Sequence, residues 1–128
     1  MRIATLATGR TAVFAVVTVF LSAAASLAAG DPAAGQHVFA ECAGCHSTAP
    51  GENKLGPSLA GVVGRKSGTV AGYSYSPAMK SANVTWDDAT LDTFLASPAS
   101  FVHGTKMFIN VPSGTARQNV IAYLETLK

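Results

Sequence analysis

The residues of this chain best suited to chemistry are two cysteines and a histidine, which lie within five consecutive positions. They form the segment Cys42-Ala43-Gly44-Cys45-His46, whose pattern is C-x-x-C-H. This pattern is the attachment motif of a c-type haem, because two intervening residues on a helical turn bring both thiols to adjacent vinyl groups. The next residue, His46, is then carried under the iron. We therefore predict one haem c, held covalently through Cys42 and Cys45, with His46 as the first axial ligand.

Two other uses of a cysteine pair agree less well with the sequence. A thioredoxin-like redox pair belongs in a βαβ arrangement, and the sequence has no strand pattern. A zinc site needs about four ligands, whereas the chain contains two cysteines in total. Haem attachment is the interpretation that accounts for both cysteines and for the adjacent histidine.

The second axial position of the iron decides what such a haem can do. An open position allows oxygen, CO or peroxide chemistry, whereas a protein ligand closes the iron and leaves electron transfer. Methionine sulfur and histidine nitrogen are both suitable ligands. From the residues alone, the candidates are Met79, Met107, His37 and His103.

Short helices and one long loop must position these groups. Caps, prolines and apolar spacing predict helices at four places: from Asp31-Pro32 to Ala43-Gly44, from Ser76-Pro77 to about Asn83, from a capping box in Thr85–Asp88 to Pro98, and around Val120, Ile121, Leu124 and Leu127. Residues 49–76 are rich in glycine, proline, serine and lysine and are predicted to form a loop. A loop of this length without strands does not complete a core, so we expect the haem to fill the interior.

The start of the chain predicts a secretory signal peptide. Arg2 and Arg10 precede an apolar run from Thr11 to Ala29 that ends in small residues, which is the layout of an export signal. We expect cleavage after Ala28 or Ala29. The alternative is an uncleaved membrane anchor, because the apolar run is nearly long enough to span a bilayer.

The remaining residues, 29–128, are predicted to form a single domain outside the cytoplasm. Loss of the two leader arginines lowers the basic residues from nine to seven, which equals the seven acidic residues. A domain without net charge is unsuited to neutralising a run of phosphates, so we expect no nucleic-acid partner. The chain is 48 % hydrophobic, and this apolar excess is concentrated in the leader, which excludes a multi-spanning membrane protein.

Over nearly its whole mature length, the sequence resembles class I cytochromes c of the mitochondrial and α-proteobacterial type. The shared motifs are CAGCH, Leu55-Gly56-Pro57-Ser58-Leu59, Gly61-Val62-Val63-Gly64-Arg65-Lys66-Ser67-Gly68, Tyr73-Ser74-Tyr75, Thr85-Trp86, Gly104-Thr105-Lys106-Met107 and Ile121-Ala122-Tyr123-Leu124. The order of GRKSG and GTKM after C-x-x-C-H makes the resemblance specific. It implies an all-α class I cytochrome c fold, in which three to five helices wrap around the covalently bound haem.

The resemblance also implies roles for individual residues around the haem. Met107, at the end of the GTKM run, would be the sixth ligand. The Pro57 carbonyl would accept a hydrogen bond from the His46 ring and fix its orientation. The implied partners of the haem propionates are Tyr75, Trp86 and Thr105, with positive charge supplied by Arg65.

Three positions depart from the family pattern. Phe94 stands where many members have tyrosine, and His103 stands where proline is common. Phe108-Ile109 reverses the usual order of an aliphatic residue followed by phenylalanine. The resemblance therefore implies that one hydroxyl contact on the methionine side is absent, and that the aromatic side chain at the exposed haem edge is displaced.

The function implied by the resemblance is electron transfer, not enzymatic catalysis. It indicates a soluble, monomeric, periplasmic carrier that moves one electron at a time through a His/Met-ligated haem. In this family a quinol–cytochrome c oxidoreductase commonly donates the electron, and a terminal oxidase, photosynthetic reaction centre or periplasmic reductase accepts it. The alternative is a haem peroxidase or gas-binding protein in which Met107 is a labile ligand.

Segregated charges are expected to guide docking, although the mature domain has no net charge. The resemblance places the acids Asp87, Asp88, Asp92 and Glu125 away from the exposed haem edge. It places Lys54, Lys66 and Lys106 in segments around that edge. If these lysines only solvate the surface, docking relies instead on apolar contacts around Ile109 and Val111.

Overall fold

Five short helices joined by long connections make up residues 29–128, the part of the chain that the computed structural model describes. The helices are α1 (Pro32–Phe39), α2 (Pro77–Ser81), α3 (Asp88–Ala96), α4 (Pro98–Phe101) and α5 (Gly114–Glu125). Within these residues there is no strand, and β-type pairing is limited to an isolated bridge between Lys66 and Thr85. The all-α prediction of three to five helices is confirmed.

The predicted signal peptide, residues 1–28, lies outside the described residues. It stays a prediction, as does its cleavage after Ala28 or Ala29. The boundary at residue 29 between leader and domain is likewise untested. From residue 29 onward, no helix combines the length and the apolar character needed to cross a membrane.

The first helix begins where the sequence predicts. The Asp31 carboxylate accepts a hydrogen bond of 2.9 Å from the Ala33 N–H, and Pro32 occupies the first turn. Proline costs little there because the first N–H groups of a helix have no partner within the helix. However, α1 ends at Phe39 and is followed by turns, so it is shorter than the predicted helix.

The capping box of α3 is displaced from its predicted position within Thr85–Asp88. The Asp87 carboxylate accepts from the Thr90 N–H at 2.8 Å, and the Thr90 hydroxyl accepts from the Asp87 N–H at 2.9 Å. Trp86 is buried in the core. Asp87 is therefore the first exposed side chain that can accept from the unpaired N–H groups at the start of α3. The prediction was therefore wrong by two residues.

One apolar core joins the helices. α1 crosses α5, and the Phe39 and Tyr123 rings pack with centroids 5.3 Å apart. α3 packs against both α4 and α5. The buried hydrophobic residues are Phe39, Val62, Trp86, Leu91, Phe94, Leu95, Val102, Val111, Val120, Ile121 and Leu124.

The long loop, residues 49–76, is ordered by hydrogen bonds from its own side chains together with backbone–backbone bonds. The Ser58 hydroxyl donates to the Ala49 carbonyl at 2.7 Å, and the Ser58 N–H donates to Asn53 Oδ1 at 3.0 Å. The Arg65 guanidinium donates to the Ser58 carbonyl at 3.1 Å. These bonds give the loop's backbone groups the partners that a helix or a strand would otherwise provide. The predicted loop is confirmed, since none of its residues is helical.

A tight helix crossing makes Gly35 a sensitive position. A Cβ atom there would lie 1.9 Å from the Asn119 carbonyl oxygen and 2.9 Å from Tyr123 Cβ. We expect Gly35→Ala to push α1 away from α5 and to lower the free energy of unfolding by about 1–3 kcal/mol, as other overpacked cores do. Chemical denaturation of the haem-containing protein measures this loss.

Gly114→Ala is the matched control, because the nearest atom to its added Cβ is Arg117 Nη2, at an ordinary contact distance of 3.5 Å. This substitution should change the free energy of unfolding by less than about 0.5 kcal/mol. Equal stabilities of the two variants would contradict the proposed close approach of α1 and α5.

Candidate haem site

A cavity of about 360 Å³ lies inside the helices, where the sequence predicts that the protein core is incomplete. Most of its wall is apolar, formed by residues such as Leu59, Leu91 and Val120. All nine site residues predicted from the sequence line this cavity: Cys42, Cys45, His46, Pro57, Arg65, Tyr75, Trp86, Thr105 and Met107. The fold therefore brings together residues that are up to 65 positions apart in the chain.

The C-x-x-C-H segment forms a helical turn that follows α1 directly. The Cys45 N–H donates to the Cys42 carbonyl at 3.0 Å, and the His46 N–H donates to the same carbonyl at 2.9 Å. Both cysteines are half-buried and not joined in a disulfide. Burial raises the pKa of the Cys42 thiol, and the neighbouring Glu41 and Cys45 raise it further.

The imidazole of His46 is held in one orientation from two sides. Its Nδ1 lies 2.8 Å from the Pro57 carbonyl oxygen, which leaves Nε2 free for a ligand. A Cβ atom on Gly56 would lie 2.3 Å from His46 Cε1, so only glycine lets this loop lie flat on the ring. Burial lowers the pKa of His46, the bond to Pro57 opposes the shift, and the Arg65 charge adds to it. The neutral ring is the form that binds a metal.

Gly56 is a functional position for which the residues alone indicate no role. Its signal in the sequence was the glycine itself, because glycine allows a close approach of the backbone to another group. The spacing alone did not indicate which group makes that approach.

Four polar groups on the cavity wall keep a hydrogen-bond donor unused. Arg65 Nε is buried and has no partner among residues 29–128. The Tyr75 hydroxyl accepts from the Val70 N–H at 3.1 Å and has its own hydrogen left to donate. Within the described residues, no hydrogen bond uses the Trp86 indole N–H, and the Thr105 hydroxyl only accepts, from the Met107 N–H at 3.3 Å.

These unused donors fit a buried anionic group. An unpaired carboxylate in an apolar interior is costly, and a haem carries two propionates. The Arg65 guanidinium also remains charged, although burial lowers its pKa. The apolar wall, the paired thiols and the unused donors together match the chemistry of haem c.

The structure reduces the candidates for the second axial ligand from four to two. Met79 and Met107 both line the cavity. His37 lies on α1 and His103 follows α4; both are exposed, and neither lines the cavity. Among residues 29–128, no group of three or more histidine, cysteine or acidic side chains is arranged so that it could hold a metal ion.

The residues that depart from the family pattern occupy distinct environments. Phe94 is buried and packs on Trp86 with ring centroids 5.0 Å apart. Phe108 is 86 % exposed beside Met107, and Ile109 is 42 % exposed. Both also line the cavity, so the aromatic residue after Met107 stands at its mouth.

An all-α fold built around such a cavity, with C-x-x-C-H on its wall, defines a c-type haem protein. Residues 32–128 match the sequence profile described as cytochrome c. The chain belongs to the cytochrome c family, whose members bind covalently attached haem c, and Cys42, Cys45 and His46 supply its attachment motif.

Individual relatives agree with this family. Cytochrome c2 of Rhodoblastus acidophilus is 48 % identical over 102 residues, which cover 78 % of this chain and 95 % of that protein. Cytochrome c of Euglena viridis is 48 % identical over 101 residues, or 77 % of this chain and 99 % of that one. The solved structure of cytochrome cH from Methylobacterium extorquens superposes with a TM-score of 0.71 at 44 % identity, covering 76 % of this chain and 99 % of that one.

Proposed function

We propose that this cytochrome c is a periplasmic carrier that moves single electrons through a haem ligated by His46 and Met107. The observation that carries the proposal is that the C-x-x-C-H motif and Met107 line one cavity. Bound haem supplies a one-electron exchange between Fe(II) and Fe(III). Because His46 and Met107 would hold the iron between them, neither oxygen nor peroxide would find a site there, and electron exchange would be the remaining activity.

The chain's own residues set the reduction potential. His46 is kept neutral mainly by burial and is oriented by its bond to Pro57, while the thioether of Met107 is a soft ligand that favours Fe(II). The apolar wall of the cavity disfavours the extra positive charge of Fe(III). All three effects raise the potential.

The unused donors on the cavity wall are proposed to hold the propionates. Tyr75, Trp86 and Thr105 each have one hydrogen to donate, and Arg65 adds a charged donor. Hydrogen bonds from these groups would orient the haem. They would also replace the hydrogen bonds to water that its carboxylates lose on burial. Met79, which packs against the core from α2, is proposed to have a packing role only.

Larger redox complexes are the proposed partners. The donor would be a quinol–cytochrome c oxidoreductase, and the acceptor a terminal oxidase, a reaction centre or a periplasmic reductase. The carrier acts as a monomer, without nucleic acid, after export and removal of the leader.

Docking is proposed to use the mouth of the cavity. The three large hydrophobic side chains that are most exposed in residues 29–128, Leu55, Phe108 and Ile109, all line it. Val111, in contrast, is buried, so it contributes no docking contact. An exposed apolar patch of this kind suits association with a partner protein.

Charged groups differ in where they lie relative to this patch. Lys106 lines the cavity, whereas Lys54 and Lys66 do not. Each of the three donates one hydrogen bond from an exposed position: Lys54 to the Ala43 carbonyl, Lys66 to Asn83 Oδ1 and Lys106 to the Ser74 carbonyl. Among the seven acids, Glu41 lines the cavity, whereas Asp87, Asp88, Asp92 and Glu125 do not. The position of these four acids favours a dipole with its positive end near the haem edge.

Stopped-flow oxidation of the reduced protein by a purified acceptor complex tests this function. We expect one-electron oxidation at a rate that falls as salt concentration rises, because salt screens the attraction between exposed charges. Lys106→Glu should slow the reaction more at low salt than Lys128→Glu does. Equal effects of the two substitutions would leave docking to Leu55, Phe108 and Ile109, and a failure to exchange electrons would contradict the carrier function itself.

A further inference from the structure

The segment that carries Met107 has little internal structure. We define the Met107 loop as residues 102–113. The Thr105 N–H donates to the Val102 carbonyl at 3.0 Å, and the Val111 N–H donates to the Leu95 carbonyl of α3 at 2.8 Å. Between these two points, residues 106–110 make no backbone–backbone hydrogen bond with any described residue. The position of Met107 therefore depends on how the two ends of the loop are anchored.

Arg117 of α5 anchors the carboxyl-terminal end of the loop. Its Nη1 donates to the carbonyls of Val111 and Pro112 at 3.0 and 2.8 Å. Its Nε donates to Asp92 Oδ1 of α3 at 2.8 Å, which is the one ion pair among residues 29–128. The Arg117 side chain is 15 % exposed and that of Asp92 is 43 % exposed. The bonds to Val111 and Asp92 are therefore partly shielded from water, whereas the bond to Pro112 is exposed.

The hydrogen bonds that the loop's own side chains donate are more exposed. Lys106 Nζ donates to the Ser74 carbonyl from an exposed position, and Asn110 Nδ2 reaches the Ala96 carbonyl at 3.4 Å. Each is a single bond in contact with water, whereas Arg117 makes three bonds from one planar, largely buried group. The planar guanidinium donates to all three acceptors from two different nitrogens, whereas the donors of a lysine amine share one nitrogen and do not match this arrangement.

We propose that Arg117 is a positioning residue for the sixth ligand, and that Asp92 fixes its guanidinium. The proposal rests on the function given above, in which Met107 is that ligand. Without Arg117 the Val111 and Pro112 carbonyls lose their donors, and the end of the loop is held only by the Val111 N–H bond to Leu95 and the buried Val111 side chain. The loop then spends more time with Met107 away from the iron, which leaves that position open to an external ligand.

CO binding to the reduced haem protein at neutral pH measures this opening. Arg117→Met retains the apolar stem and removes the three donors. We expect its CO affinity to exceed that of the wild type by about tenfold or more, since a hydrogen bond from a charged donor contributes enough to shift an equilibrium by that factor. The sulfur-to-iron absorption band of the oxidised protein should weaken in parallel.

Three comparisons separate positioning from general stability. Gly35→Ala should lower stability at the α1–α5 crossing without increasing CO affinity. Asp92→Asn leaves the bonds from Arg117 to the two carbonyls in place, so its effect should be smaller than that of Arg117→Met. Arg117→Lys should lie between the wild type and Arg117→Met, and it serves as the test variant if Arg117→Met does not fold.

The outcomes are distinguishable. A larger CO affinity in the Arg117 variants than in Gly35→Ala supports the proposal. CO affinities in Arg117→Met and Arg117→Lys no higher than in Gly35→Ala would overturn it and leave Met107 ligation intact. A wild-type protein that already binds CO as tightly as Met107→Ala would overturn the proposed function and, with it, the role of Arg117.

Discussion

Replacing Met107 with alanine is expected to open the iron and convert the carrier into a ligand-binding haem protein. Alanine has no donor atom, so the sixth position becomes available to water, CO and peroxide. Loss of the soft thioether also favours Fe(III). We expect the reduction potential to fall by at least about 0.1 V, which is a modest part of the roughly 0.8 V over which axial ligands set haem potentials. Potentiometric titration and CO difference spectra measure these changes.

Met79→Ala is the matched control, because Met79 lines the same cavity and is the other methionine able to reach it. Removing its side chain should lower stability while leaving the potential and the CO response close to those of the wild type. If Met79→Ala opens the iron and Met107→Ala does not, the assignment of the sixth ligand is wrong.

The second large effect is expected when haem is never attached. Cys42→Ala/Cys45→Ala removes both thioether bonds, so haem staining should disappear from a denaturing gel. The apolar wall of the cavity of about 360 Å³ would then face water instead of haem. A domain of about 100 residues buries little apolar surface elsewhere to offset this loss. The whole free energy of unfolding of a small domain is only about 5–15 kcal/mol. We therefore expect a largely unfolded chain.

Far-ultraviolet circular dichroism of the double variant and of the haem-containing wild type checks this expectation. The wild type should show the helical signal of α1 to α5 and retain its haem in denaturant. Helical content in the haem-free variant comparable to that of the wild type would contradict the view that haem completes the core.

Local sequence signals predicted the parts of the fold that local chemistry determines. Asp31-Pro32 marks the start of α1, because the Asp31 carboxylate caps a backbone N–H only two residues away. The C-x-x-C-H motif gives the cofactor for the same reason, since its chemistry needs a short, fixed spacing. The spacing of Val120, Ile121 and Leu124 gives α5, whose buried face contains these residues.

The sequence pattern did not predict contacts between residues that are distant in the chain. The capping box lies at Asp87, two residues after its predicted position, because Trp86 is buried in a core that forms only in the complete fold. Gly56 allows the loop of residues 49–76 to pack against the His46 ring. Arg117 is proposed to anchor the Met107 loop, because that loop ends against α5. Spacing left the second axial ligand open among four residues, and folding brought two of them to the cavity. The resemblance to cytochromes c, not periodicity, singled out Met107.

Exposing the reduced wild-type protein to CO shows whether side chains occupy both axial positions of the iron. A one-electron carrier whose iron is closed by His46 and Met107 should keep its haem absorption spectrum unchanged under CO at neutral pH. Met107→Ala under the same conditions should form the CO complex and serves as the positive control. A stoichiometric CO complex of the wild type would contradict the account and indicate a gas-binding or peroxidase function.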